Sequence, residues 1–187
     1  MPENIEVFYE STPNPQSMKF ICTQAIADQS VSINNAAEAV RSPLAAKLFS
    51  FPWLQSVFIG PNFLTISKQD WVDWNVIADP LCGMIQEHLN SDEPVLIDIE
   101  PAQGIEILDT DSAIVRQIKQ ILNDEIRPAV AMDGGDITFD RYEDRVVYLH
   151  MQGSCSGCPS SAFTLKEGIE TRLKEAIPEI QEVISVN

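Results

Sequence analysis

The sequence predicts an α/β protein made of two small domains. Stretches with helical and with strand-like spacing of apolar residues alternate in both halves of the 187-residue chain. The charge is uneven, since residues 1–111 carry 4 Lys or Arg and 16 Asp or Glu, whereas residues 112–187 carry 8 and 12. Between the halves lies an acidic stretch broken by proline and glycine, a composition that is typical of a linker.

We therefore expect a first domain over residues 1–90, a linker over 91–111 and a second domain over 112–187. Two short apolar pieces inside the linker, at 95–97 and 105–108, leave an alternative open. In that alternative the two pieces are structured, and they pair as strands or dock on a neighbouring domain.

The first domain reads as a small α/β layer structure. Its apolar alternation and its helical spacing predict strands at 5–9, 18–22, 56–60 and 63–67 and helices at 36–49 and 71–89. Pro80 is expected to interrupt or restart the second of these helices, because proline removes a backbone donor.

The second domain is predicted to follow the order α-β-β-α-β. A helix begins behind Asp111 or Ser112 and ends at Pro128, and a turn over 132–136 leads into a hairpin of strands at 137–142 and 146–151. A turn that contains two cysteines in a CxxC pattern then precedes a second helix, which starts at Pro159. A last strand at 183–186 should return parallel to the hairpin.

The bulk composition excludes some classes of function. The formal charge of −16 argues against binding to nucleic acids or to anionic membranes, since both need a basic surface. No apolar run is long enough to span a bilayer. The acidic first residues resemble neither a secretory signal nor an organellar presequence, so a cytoplasmic protein is expected.

Cys155 and Cys158 are the candidate functional residues. Thiols at the start of a helix are expected to ionise more easily, and thiolates bind iron-sulfur clusters and zinc. A cluster needs four thiolates, so two copies of the chain would have to meet. Structural zinc and dithiol-disulfide exchange explain the spacing of the two cysteines about as well as an iron-sulfur cluster does. The residues alone leave these three interpretations open.

Other polar residues suggest little chemistry. Cys22 and Cys82 lie in apolar surroundings and are interpreted as buried small side chains. Asp133 and Asp136 flank two glycines, which favours a turn over a metal site. We find no nucleophile paired with a base and no glycine loop for phosphate, so the chain is not expected to be an enzyme.

Longer motifs resemble a known family. The second half resembles the NifU C-terminal (Nfu) domain through residues 132–136 (MDGGD), 149–161 (LHMQGSCSGCPSS) and 164–169 (TLKEGI). The first half resembles the domain that precedes it in mitochondrial-type Nfu scaffold proteins. The matching stretches there are 12–20 (TPNPQSMKF), 41–45 (RSPLA), 57–63 (VFIGPNF) and 73–74 (DW).

This resemblance implies an iron-sulfur cluster carrier. It implies a labile 4Fe-4S cluster, with a 2Fe-2S cluster as the alternative, bridged between two copies of the chain by Cys155 and Cys158 of each. The partners implied are a cluster donor, apo iron-sulfur client proteins that receive the cluster, and a second copy in the loaded homodimer. A dithiol oxidoreductase and a zinc-stapled adaptor remain as alternatives.

Overall fold

The chain forms two compact units, Met1–Ala102 and Gln103–Asn187. The structure is a computed structural model that describes residues 4–97, 105–155 and 159–186, with the backbone alone for 159–163. Each unit contains its own sheet and its own buried apolar core. The fold is thus a mixed α+β fold of two small units, as the sequence predicts.

The first unit is built on a five-stranded antiparallel sheet. Its spatial order is β1-β2-β5-β4-β3. The strands are β1 (Val7–Ser11), β2 (Ser17–Cys22), β3 (Val31–Ile33), β4 (Leu54–Ile59) and β5 (Phe63–Lys68). Strand β3 was not predicted, because three residues are too few to show a period of two.

The helices of this unit are α1 (Pro43–Leu48) and α2 (Trp74–Leu89), with a 3-10 turn at Glu38–Arg41. The helical pattern predicted over 36–49 is divided at Ser42 into that 3-10 turn and α1. Ser42 is extended (φ −147°, ψ 110°), as the residue before a proline tends to be, and its hydroxyl caps the helix that starts at Pro43.

Helix α2 continues through Pro80, contrary to the prediction. Buried residues lie on both sides of the proline, with Ala78 before it and Leu81 and Ile85 after it. Because this single apolar face packs on one core, tertiary contacts offset the missing backbone hydrogen bond.

The second unit follows the predicted α-β-β-α-β order. Its elements are α3 (Ala113–Ile121), a π-helical turn (Leu122–Ile126), α4 (Arg127–Met132), β6 (Gly135–Glu143), β7 (Val146–Gly153), α5 (Pro159–Ala176) and β8 (Glu182–Val186). Strands β6 and β7 form the antiparallel hairpin, and β8 returns parallel to β7. Ser112 is the N-cap of α3, and α5 begins at Pro159, as expected.

Pro128 does not end the first helix of this unit, so that prediction was wrong. The π-helical turn shifts the hydrogen-bond register just before it, and Pro128 falls in the first turn of α4. A proline is tolerated there because its missing N–H needs no partner.

The two apolar pieces of the predicted linker each contact a folded core. Val95 and Leu96 pack against the core of the first unit, where the Ile97 amide donates a hydrogen bond to the Arg41 carbonyl (2.8 Å). Ile105 is buried in the core of the second unit.

Candidate functional site at the cysteine turn

Cys155 lies at a junction between a strand and a helix. Strand β7 ends at Gly153, Ser154 and Cys155 form a turn, and α5 begins at Pro159. Cys158, the second cysteine of the motif, lies outside the described residues. The structure therefore provides the geometry of one of the two candidate ligands.

The sulfur of Cys155 packs against a glycine. Cys155 is only 6% exposed and belongs to the core of the second unit. A Cβ atom placed on Gly135 would lie 2.5 Å from the Cys155 sulfur and 2.8 Å from the Gln152 carbonyl oxygen. Only glycine lets the strand and the sulfur approach this closely.

Ser154 fixes the cysteine turn to the turn that precedes β6. Its amide donates to the Gly134 carbonyl (3.1 Å), and its hydroxyl donates to the Asp133 carbonyl. The hydroxyl oxygen also lies 3.9 Å from the Cys155 sulfur. Gly134 and Gly153 adopt φ angles of 80° and 70°, a left-handed conformation that glycine accepts without strain. The sequence motifs around 132–136 and 153–155 therefore form one structural unit.

The electrostatics of Cys155 differ from the sequence prediction. A helix start was expected to lower its pKa, but burial raises the pKa of the Cys155 thiol to about 11. The carboxylates of Asp133 and Asp136 raise it further, and the contact with Ser154 lowers it. Desolvation is the largest cause of this shift, and the thiol is neutral at physiological pH.

An ion pair beside the turn was missed by the sequence analysis. The Arg127 guanidinium donates from Nε to Asp136 Oδ1 and from Nη2 to Asp136 Oδ2, both at 2.8 Å. Asp136 Oδ1 also accepts the Ile137 amide (2.8 Å), and the residue is 6% exposed. The sequence signal that could have predicted this pair is the position of Asp136 beside the apolar strand residue Ile137. A carboxylate next to a core residue needs a partner.

The remaining candidate residues lie apart from this turn. Cys22 is buried in the first unit as expected, whereas Cys82 is only partly buried against the same core, where its sulfur donates to the Val7 carbonyl (3.0 Å). Within the described parts of the chain, no group of three or more His, Cys, Asp or Glu could hold a metal ion. A metal at Cys155 would thus need ligands beyond the described side chains.

Over the residues that the structure covers, no helix combines the length and the apolar character needed to cross a bilayer.

Family models match both units. Residues 7–92 match the N-terminal domain of the scaffold protein Nfu/NifU, and residues 118–184 match the NifU-like domain. The chain therefore belongs to the Nfu family, in which the first domain precedes the second.

Named relatives share this domain pair. The chain is 42% identical over 179 residues to a protein of Drosophila sechellia named "NFU1 iron-sulfur cluster scaffold homolog, mitochondrial", which covers 95% of this chain. The protein of the same name from Drosophila ananassae is 39% identical over 185 residues, or 98% of this chain. The chain spans 63% and 65% of the lengths of these two relatives.

A solved structure also matches in part. The solution NMR structure of a NifU-like protein from Saccharomyces cerevisiae is 30% identical, with a TM-score of 0.47. It covers 53% of this chain, and the match covers 92% of the yeast chain.

The expectation of a cytoplasmic protein was wrong. The relatives are named as mitochondrial proteins, which contradicts it. The expectation was based on the composition of the first residues alone.

Proposed function

We propose that this protein is an iron-sulfur cluster scaffold that holds a 4Fe-4S cluster between two copies of the chain and passes it to apoproteins. The observation that carries the proposal is the position of Cys155, in a glycine-lined turn ahead of α5 in a NifU-like domain. The relatives that share both domains are named as iron-sulfur cluster scaffolds.

The number of thiolates favours a shared cluster. Iron-sulfur clusters are usually held by four thiolates, and the motif provides Cys155 and Cys158. The described residues offer no further group of ligands nearby. Two copies related by a two-fold axis would provide four thiolates at one site. The same count applies to a 2Fe-2S cluster, so the ligands alone do not select the cluster type.

Loading of the cluster requires a change at Cys155. Its thiol is neutral and buried, whereas an iron ligand must be a thiolate that is accessible to the metal. Each cysteine that binds iron therefore loses one proton as its Fe–S bond forms. The cysteine turn must open far enough to expose the sulfur of Cys155.

Transfer to a client needs no change of oxidation state. Each Fe–S bond to the scaffold is replaced by an Fe–S bond to a cysteine of the apoprotein. The scaffold sulfur takes up one proton for each proton that the client thiol releases. The cluster is thus the cargo of the protein, and no catalytic residue is required for the exchange.

The first unit is proposed to recognise partner proteins. Its residue Trp71 is 68% exposed, and exposed tryptophans are frequent anchors of protein interfaces.

The dithiol oxidoreductase makes a different use of the same cysteines. Such an enzyme reduces a disulfide without holding iron, and its attacking species is a thiolate. Burial raises the pKa of the Cys155 thiol, so this function also requires the cysteine turn to open. The zinc-stapled adaptor would bind zinc in place of an iron-sulfur cluster. Identifying the bound metal therefore distinguishes these two functions.

Anaerobic native mass spectrometry after reconstitution with iron and sulfide tests the proposal. We expect a dimer that carries one 4Fe-4S unit, and we expect the Cys155→Ser/Cys158→Ser variant to bind none. The matched control is Cys22→Ser/Cys82→Ser, which removes the two other cysteines and should load normally. Cluster loading that survives loss of Cys155 and Cys158, or a monomer that binds only zinc, would contradict the proposal.

A further inference from the structure

An ion pair between a buried Asp136 and a partly exposed Arg127 lies one residue away from the backbone that supports the candidate ligand. Arg127 is the first residue of α4, directly after the π-helical turn, and Asp136 is the second residue of β6. The pair closes the chain across the turn at Asp133 and Gly134 with two parallel hydrogen bonds. A bidentate pair of this kind fixes direction as well as distance.

The pair is anchored on both sides. Arg127 also donates from Nη1 to the Asn123 side-chain oxygen (3.3 Å), and the Asn123 amide group donates to the Ile105 carbonyl (2.9 Å). On the strand side, Asp136 accepts the amide of Ile137, which is fully buried. The guanidinium therefore connects the π-helical turn to the start of the sheet.

The path from the ion pair to the cysteine is short. Asp136 is the chain neighbour of Gly135, and Gly135 is the residue against which the Cys155 sulfur packs. Gly134, one residue earlier, accepts the Ser154 amide through its carbonyl. In the hairpin, Gly135 pairs with Gly153 and Asp136 with Gln152. A shift at Asp136 would thus move the backbone on which Ser154 and Cys155 rest.

We propose that Arg127 and Asp136 are positioning residues for Cys155. This inference rests on the proposed function, since it assigns the pair a role in the same site. The pair holds the Asp133–Gly134 turn against the start of β6, so that it limits the opening of the cysteine turn both in the apo-protein and in the loaded protein. Neither side chain is one of the proposed cluster ligands.

The test measures the accessibility of Cys155 in the apo-protein. In a Cys158→Ser background, Cys155 is the only cysteine of the second unit. Peptide mass spectrometry then follows its alkylation by N-ethylmaleimide, while hydrogen exchange of the α5 and β8 amides reports opening of the whole unit. We expect Arg127→Gln to raise the alkylation rate by about tenfold or more, because a buried carboxylate loses its partner and the turn opens locally.

A second ion pair in the same unit is the matched control. Arg172 donates from Nε and Nη2 to the two carboxylate oxygens of Glu125, at 2.6 and 2.8 Å, and this carboxylate side chain is 45% exposed, whereas that of Asp136 is 8% exposed. Arg172→Gln should leave the Cys155 rate unchanged. Arg127→Lys keeps the charge without the planar fork, so its rate should fall between those of wild type and Arg127→Gln.

The outcomes separate positioning from general stability. The proposal is overturned if Arg127→Gln changes the Cys155 rate no more than Arg172→Gln does. It is also overturned if alkylation and amide exchange of the whole unit rise by the same factor. Should Arg127→Gln fail to fold, the Cys155 alkylation rates of Arg127→Lys and wild type are compared instead. Equal rates in these two proteins would overturn the proposal.

Cluster retention provides a second measurement on the otherwise unmodified chain. The reconstituted Arg127→Lys protein should lose its cluster to a chelator several times faster than wild type. A wild-type chain that takes up no cluster would contradict the proposed function only, because the alkylation result is obtained on apo-protein.

Discussion

Both units bury a cysteine, yet the two cysteines have different surroundings. Cys22 is 3% exposed and Cys155 is 6% exposed. Burial raises the pKa of the Cys22 thiol to about 12 and that of Cys155 to about 11. By exposure and by acidity alone the two thiols are nearly the same.

The difference lies in the backbone around each sulfur. Cys22 ends a regular strand, and its Cα partner across the sheet is Val7. Cys155 follows a strand, in a turn that is held by Ser154 and faces Gly135. A turn that is held by a few hydrogen bonds can open while the sheet stays intact. A cysteine within a strand is exposed only if that part of the sheet is broken. Burial therefore does not separate a structural cysteine from a candidate ligand, but the local backbone does.

The largest expected effect tests whether each unit depends on its own core. All three tryptophans lie in the first unit, so tryptophan fluorescence reports its unfolding. Phe20 is fully buried there, and Phe20→Ala should lower the free energy of unfolding by about 3–5 kcal/mol. Urea titration followed by tryptophan fluorescence measures the change.

Leu173→Ala is the matched truncation in the second unit, where Leu173 is also fully buried. It should leave the midpoint of the fluorescence transition in place. A common shift of that midpoint in both variants would show that the two cores respond together, and the comparison of separate units would fail.

A smaller effect is expected at the glycine that supports Cys155. Gly135→Ala places a Cβ too close to the Cys155 sulfur and to a backbone oxygen that cannot move freely. We expect it to destabilise the second unit by about 1–3 kcal/mol, the usual cost of overpacking. Urea unfolding followed by circular dichroism measures this.

Gly168→Ala is the control for that substitution. Gly168 lies in α5, and among the described atoms outside its chain neighbours and the backbone of its own helix, none lies within 4 Å of a Cβ atom placed on it. Alanine should therefore stabilise the helix by about 0.5–1 kcal/mol, because it has the higher helix propensity. Equal effects of the two substitutions would mean that the sulfur does not pack on Gly135 in solution.

The smallest effect concerns acid stability of the first unit. His88 is 1% exposed, and its pKa is lowered by burial and by Lys47, while a hydrogen bond with the Pro94 carbonyl and the charge of Glu93 oppose the shift. The unfolded chain binds this proton below a pH of about 6.5, whereas the folded chain does so only at lower pH. Stability is thus unaffected above that pH and falls as the pH drops below it.

Fluorescence-detected unfolding at pH 7.5 and pH 5.5 isolates this contribution. The lowered pKa of Glu93 acts in the other sense, because it stabilises the fold above about pH 4.5 and loses that effect only at lower pH. His88→Gln should reduce the difference between the two conditions. His150→Gln changes the only other histidine, which lies in the second unit, and should not. A pH difference that persists unchanged in His88→Gln would exclude His88 as its source.

The sequence by itself determined the features that depend on near neighbours along the chain. The alternation of apolar residues identified the hairpin of β6 and β7, and the cap at Ser112 and the proline at 159 placed the starts of two helices. The CxxC motif also singled out the candidate ligands, Cys155 and Cys158. Caps, turns and periods follow from local backbone geometry, so a single sequence is enough to predict them.

Only the tertiary structure decided the features that depend on how segments of the chain pack together. Pro80 stays within α2 because residues on both sides of it pack on one core. Arg127 meets Asp136 because the helix and the strand are brought together by the turn between them. The pKa of Cys155 rises because the fold buries its sulfur beside Gly135 and near two carboxylates. Burial and charge pairing depend on which segments pack together, and the local pattern of residues does not specify that.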